Sequence, residues 1–208
     1  MLAATGPFVL RSTLTSPFGR KVRMAAQVLG LSERITIVPA DTLDETDLLR
    51  VDNPLGKIPC LLLNDGSTLY DSRVILEFMQ ELVGGEALMP ARGLARYHAL
   101  TRAALADGVT DAALLLVYEK RFRDPSAYSE RWLAHQRGKI GRALAAFESN
   151  PPDATKTDLV SIGLSCALGY LDWRKPMEWR TAHPRLAAWL ADFAAHEPAF
   201  DRTRADAV

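Results

Sequence analysis

The stretch from Asn53 to Phe78, NPLGKIPCLLLNDGSTLYDSRVILEF, leaves the chain few ways to fold. Leu61 to Leu63 is a short apolar run, Asn64-Asp65-Gly66-Ser67 has the chemistry of a tight turn, and Thr68 to Tyr70 restarts an extended segment. Two antiparallel strands are predicted, followed by a helix that opens at Asp71 and Ser72. Helix starts have unpaired backbone N–H groups and the positive end of the dipole, so such an end attracts a carboxylate. Pro59 cannot donate to a ladder, which puts the Ile58-Pro59 bond at a strand start or edge. Only an X-Pro bond becomes cis at small cost.

Upstream, Phe8-Val9-Leu10 reads as a strand and Ser12-Thr13-Leu14-Thr15-Ser16-Pro17 as the loop after it. Pro17 suits a first helical turn, with Ser16 near the N-cap, and Val22, Ala25, Ala26 and Leu29 recur at helical spacing until Gly30. Ile35 to Val38 reads as a buried strand parallel to the first. Asp41 to Asp52 is polar, anchored by Leu43, Leu48 and Leu49, and predicts a short or irregular helix. The resulting order, β-α-β-α-β-β-α, is that of a small mixed sheet covered by helices.

Gly84 to Gly93 reads as a linker. Beyond it, Leu94 to Phe122, Ala127 to Phe147, Leu159 to Tyr170 and Leu186 to Phe193 carry helical apolar spacing, and no strand is predicted. Thr155-Lys156-Thr157-Asp158 has the pattern of a capping box before Leu159 to Tyr170, whose apolar and small residues nearly all round predict a buried helix. The expected organisation is an α/β domain over 1–84, a linker over 85–93 and an all-α domain over 94–208.

Lys plus Arg equals Asp plus Glu, 25 each, so no global charge steers the chain toward nucleic acid or an anionic membrane. A small-molecule substrate is the expectation. Cys60 and Cys166 fit neither a disulfide framework nor a zinc site, and the histidines at 98, 135, 183 and 196 share no metal-ligand spacing, so no metal is expected. MLAATGPFVLRS lacks the basic and apolar regions of a leader, and no stretch approaches the ~20 apolar residues of a membrane span. The chain reads as cytoplasmic.

NPLGKIP followed by LYDSRVI resembles the second half of the thioredoxin-like domain of cytosolic glutathione S-transferases. The resemblance implies a cis Pro59, an Ile58 backbone that pairs with the cysteinyl part of glutathione, and Asp71 and Ser72 on the γ-glutamyl end, with Lys57 toward the glycyl carboxylate. Many members carry Glu where this chain has Asp71, one methylene shorter. Thr15-Ser16-Pro17-Phe18 is similar to the Ser-Pro-Phe helix start in which the serine stabilises the glutathione thiolate. This implies Ser16 as the catalytic hydroxyl; other serine-using classes place it one residue earlier, at Thr15, and Ser12 and Thr13 are outsiders.

A cysteine at that position would form a mixed disulfide with glutathione; none is present, and Cys60 reads as a small buried apolar residue. Arg20-Lys21-Val22-Arg23 either raises the potential near the thiolate or is a solvated helix face. The resemblance further implies an electrophile pocket drawn from Thr13, Leu14, Phe18, Leu114, Val117, Tyr118 and Phe122, to which the loop between Trp173 and Trp179 is a possible addition. It also implies a twofold homodimer and a detoxifying transferase with glutathione as co-substrate and an electrophile as partner. A noncatalytic glutathione-binding docking or regulatory protein, and a glutathione-dependent isomerase, etherase or peroxidase, are the alternatives.

Overall fold

The computed structural model describes residues 6–205, so the part of the leader reading that rests on Met1 to Thr5 lies outside the described residues. The first region runs β1 (Phe8–Arg11), α1 (Pro17–Val28), β2 (Ile35–Val38), α2 (Leu49–Asp52), β3 (Cys60–Leu62), β4 (Thr68–Leu69) and α3 (Ser72–Val83). The helices α4 (Gly93–Phe122), α5 (Glu130–Ser149), α6 (Leu159–Arg174), α7 (Pro184–His196) and α8 (Pro198–Arg202) follow. Two compact units result among the described residues: 6–91 together with 199–205, and Arg92–Pro198. The all-α segment expected to run to the C-terminus thus loses its last residues to the first unit. No helix among the described residues is long and apolar enough to cross a membrane.

In the first unit the strand order is β2-β1-β3-β4. β1 pairs parallel with β2, Phe8 opposite Ile35, and antiparallel with β3, Leu10 opposite Leu61. β4 closes the hairpin with Leu69 opposite Leu61. Phe8, Leu10 and Leu61 are buried with Val22 and Ala25 of α1 and with Ile75 and Met79 of α3, and the Phe8 and Phe78 rings meet edge-on at 5.8 Å. Gln80 holds the expected linker: its carbonyl accepts from Leu88 and Met89 N–H at 2.9 and 2.7 Å, and its amide donates to the Met89 carbonyl.

The short helix expected between Asp41 and Asp52 is α2. Before it, carboxylates capture the backbone: Asp41, Asp44 and Asp47 accept from Leu43, Thr46 and Leu49 N–H at 2.7 to 2.8 Å, local bonds that compete with a helix. Two readings of this unit need correction. β2, read as a buried strand, is the edge of the sheet, with Thr36 and Ile37 exposed, because β1 covers only one side of it. Arg20, Lys21 and Arg23 are not a solvated face but buried. Arg20 donates to the Phe200 carbonyl at 2.6 Å and the Thr203 hydroxyl at 3.3 Å, with its guanidinium 4.4 Å from the Phe200 ring centroid. This is how α8 joins the first unit.

In the second unit α6 is the buried helix, with residues from Leu159 through Leu168 all inside, packed on α4, which also packs on α5. The capping box is present but lies three residues later than expected. Asp158 is the cap itself, accepting from Val160 and Ser161 N–H at 2.9 Å each, and the Ser161 hydroxyl accepts from Asp158 N–H at 2.8 Å. Thr155 instead bonds the Asp153 carboxylate through both its N–H and its hydroxyl.

Candidate active site

Strand register decides which loops share an edge of the sheet. Arg11, the last residue of β1, faces Cys60, the first of β3, while Leu69 at the end of β4 faces Leu61. One end of the sheet therefore gathers three segments: the loop from Ser12 to Ser16, the Ile58-Pro59 bond, and Tyr70-Asp71-Ser72. These are the first-unit residues singled out in the sequence. Ala40, Leu49 and Cys60 form a buried cluster beneath, with Ile58, Leu62 and Tyr70 packed against it.

The Asn53–Lys57 turn shapes the central segment. Asn53, buried, accepts from Leu55 N–H at 3.0 Å and donates to the Lys57 carbonyl at 2.8 Å, and Gly56 supplies the positive φ of +59° the turn requires. Ile58-Pro59 is cis. Among the described residues, the Ile58 backbone N–H and carbonyl make no hydrogen bond. Backbone groups demand partners, so an extended ligand backbone has a place to pair there. Lys57 is exposed and has no carboxylate partner among the described residues.

At the start of α3, Asp71 is the N-cap and accepts from Arg73 N–H at 2.9 Å, with its side chain otherwise exposed. Ser72 is buried, and its hydroxyl has no hydrogen-bond partner among the described residues. The pair combines a carboxylate with an unspent hydroxyl at the positive end of a 12-residue helix.

At the start of α1, Ser16 is the N-cap, and its oxygen accepts from Gly19 N–H at 3.0 Å. Among the described residues its hydroxyl proton has no acceptor, and the Phe18 N–H is open as well. Thr15 is exposed, and its hydroxyl pairs with that of Thr13 at 3.1 Å. Leu14 and Phe18 are half-buried. The hydroxyl at 16 is thus held by the helix as an acceptor and is free as a donor.

Three contacts around the site were missed from the sequence. Gly19 has no Cβ for a packing reason: a Cβ there would lie 2.0 Å from the Ser12 hydroxyl oxygen, so the α1 start could not approach the loop. A glycine directly after Ser-Pro-Phe was the available signal. Arg23 donates to the Leu14 carbonyl at 3.0 Å, and Arg11 pairs with Asp52 at 2.8 Å; both partners lie too far along the chain for spacing to reveal. Cys60 is fully buried, and burial, reinforced by the Asp52 carboxylate, pushes its thiol up to about 11. It is protonated at neutral pH and has no nucleophilic character.

In the second unit Leu114, Val117 and Tyr118 are half-buried and Phe122 is exposed, on a flank of the core stripe of α4 that Ala106, Val109, Ala113 and Leu116 make. The Tyr118 and Phe122 rings meet edge-on at 5.3 Å. Trp179 is buried and Trp173 partly exposed. Among the described residues no group of three or more His, Cys, Asp or Glu is placed to hold a metal ion.

Comparison with known proteins bears on the whole chain. Residues 15–82 match the family described as glutathione S-transferase, N-terminal domain. A crystal structure of a glutathione transferase family member from Pseudomonas fluorescens Pf-5 with bound glutathione superposes with a TM-score of 0.88 at 42% identity, covering 95% of this chain and 98% of that one. A glutathione S-transferase from Methylobacterium radiotolerans in complex with glutathione sulfonate gives 0.83 at 33% identity, covering 94% and 93%. The uncharacterized GST-like protein YibF of Escherichia coli K12 is 34% identical over 200 residues, 93% of this chain and 96% of the relative. With likeness of this extent spanning both units, the chain belongs to the glutathione S-transferase family.

Proposed function

We propose that the protein ionises the thiol of glutathione and adds it to an electrophilic carbon of a small molecule. The observation that carries this reading is the Ser16 hydroxyl, fixed as an acceptor by Gly19 N–H yet with its own proton unspent at a helix start. A thiol of pKa ~8.5 is mostly protonated at neutral pH, and a hydroxyl donor at the positive end of a dipole favours the thiolate. The thiolate electron pair then forms the S–C bond while the leaving group departs with its own pair, or a double bond takes up a proton. The Ile58 backbone would pair with the cysteinyl backbone, Asp71 and Ser72 with the γ-glutamyl amine and carboxylate, and Lys57 with the glycyl carboxylate.

Support for the reaction class comes from the Pseudomonas fluorescens Pf-5 relative, whose structure is also known with bound S-(propanoic acid)-glutathione, a thioether of the kind conjugation yields. The test is thermal stabilisation by glutathione followed by turnover of a neutral electrophile such as 1-chloro-2,4-dinitrobenzene. Glutathione at 100 times its Kd adds about 2.7 kcal/mol. Absence of both stabilisation and turnover would sink the reading, and stabilisation alone would leave a binding protein.

A twofold homodimer belongs to the same proposal. Leu94 and Tyr97 of α4, and Leu48, Val51 and Leu55 around α2, are large apolar side chains left in water by a single chain. Sedimentation at micromolar concentration should give the dimer mass; a monomer alone would count against it.

A further inference from the structure

Near the C-terminal ends of α4 and α6 there is a cluster of cations and aromatic rings that neither core packing nor charge pairing explains. Gly163, where a Cβ would be 3.4 Å from that of Ala106, sets the two helices side by side, and both then run toward the same end of the unit. There α4 presents Tyr118, Arg121 and Phe122, and α6 presents Tyr170, Trp173 and Arg174. The Arg174 guanidinium lies 3.9 Å from the Trp173 ring centroid, Arg121 lies 5.5 Å from that of Phe122, and the Tyr170 and Trp173 rings meet edge-on at 6.2 Å.

Tyr170 of α6 is buried where α6 packs along α4. Burial raises its pKa, and the groups that act on it next are Arg174, Tyr118 and Arg121. Both guanidinium charges therefore act on one phenol that is only 5% exposed.

The carboxylates that α4 and α6 carry nearest to the cluster, Glu119 and Asp172, are committed elsewhere. Asp172 accepts from Arg180 at 2.7 and 3.0 Å and from the Trp179 indole at 2.9 Å. Glu119, buried, takes Ser129 N–H at 3.0 Å and pairs with Arg123 at 3.4 Å. Among the described residues neither Arg121 nor Arg174 has a carboxylate within salt-bridge distance. Two fork-shaped donors stand over aromatic faces without an anion to serve, and guanidinium with a ring is the combination that suits a planar molecule bearing a carboxylate.

We propose that the Arg121–Tyr170–Arg174 cluster binds the carboxylate of a planar, anionic second substrate, with Tyr118, Phe122 and Trp173 against its apolar plane. The inference rests on the reading that the protein takes a second small molecule beside glutathione, and it names that molecule's class.

The test is calorimetric titration of the full chain with 4-nitrobenzoate and with its neutral counterpart 4-nitrobenzamide, neither of which reacts with glutathione under these conditions. The benzoate should bind about tenfold tighter, the scale of one charge-assisted contact. In the double variant Arg121→Gln, Arg174→Gln that ratio should fall to about one with the amide affinity unchanged, and the Lys-for-Arg pair should restore part of it. On the parent protein, 1 M salt, where the screening length is ~3 Å, should also shrink the ratio, which decides the matter if the double variant does not fold. Equal affinities in the parent protein, a ratio that survives the double substitution or the salt, or failure of both probes to bind would overturn the proposal. Anion selectivity without glutathione turnover would overturn the catalytic reading alone, and turnover of a neutral electrophile without anion preference would overturn this one alone.

Discussion

Two helix starts in this protein use the same device to different ends. At α6, Asp158 takes the N–H groups of Val160 and Ser161, and the Ser161 hydroxyl closes the box by accepting from Asp158 N–H. At α1, Ser16 takes only Gly19 N–H, Pro17 has no N–H to offer, and Phe18 N–H is open. The first arrangement consumes its polar capacity and precedes a helix buried on all sides. The second keeps a proton and a backbone donor in reserve where loops converge at the sheet end. A cap that is fully reciprocated stabilises, whereas one left half-used is available for chemistry.

The contrast breaks most readily at Ser16. Ser16→Ala should lower turnover at neutral pH by about a hundredfold, as for loss of a donor to a developing anion, while stability falls by about 1 kcal/mol or less. The bound thiol pKa should rise, moving the turnover profile to higher pH, because the thiolate fraction at a given pH falls as the pKa climbs above it. Thiolate absorbance against pH checks the shift; an unchanged titration would remove Ser16 from the chemistry.

Asp158→Ala should do the reverse. Losing two cap bonds in front of a buried helix should cost about 2 kcal/mol in denaturant unfolding, with turnover per folded molecule unaltered. A variant as stable as the parent would show that the box is ornamental. Asp71→Ala sharpens the comparison from a third helix start, since its cap bond to Arg73 is single and its second oxygen is open. Glutathione affinity should drop by about tenfold, the loss of one charged contact, and calorimetry that finds no change would move the γ-glutamyl end elsewhere.

The smallest effect is expected at Thr15, whose hydroxyl already has a partner in Thr13. Thr15→Ala should alter turnover by less than about twofold, the range of a surface substitution. A larger shift in thiol pKa than that of Ser16→Ala would transfer the role to Thr15.

The hairpin, its turn and the helix from Ser72 were legible because their signals are local: an apolar run, an Asn-Asp-Gly turn, a capping residue. The buried character of α6 was legible too, since an all-round apolar helix has nowhere else to go. The misplaced capping box shows the limit, because Asp158 fits the pattern either as the last residue of one box or the first of the next, and only the Ser161 bond decides. Arg20, Lys21 and Arg23 were unreadable for a different reason. Charge next to charge looks like a solvent face unless the carbonyl that receives it is known, and that of Phe200 lies 180 residues away. Of the site, the positions of Ser16, Ile58, Pro59, Asp71 and Ser72 at one sheet end follow from strand register, which the sequence pattern anticipates. The packing of Gly19 on Ser12 does not.

The open peptide group at Ile58 carries one more consequence. What the main chain presents there is set by the Asn53 clamp and by strand pairing, and not by the isoleucine side chain. A substitution at 58 that fits the half-buried space replaces the side chain yet keeps the same donor and acceptor in the same place. Recognition through the main chain, as proposed for glutathione here, is invisible to side-chain truncation, so an alanine scan read by ligand affinity would find position 58 silent even though the lost packing on Leu49 and Cys60 lowers stability. The residue to replace is Asn53, which touches no ligand in this scheme and yet decides where that peptide points.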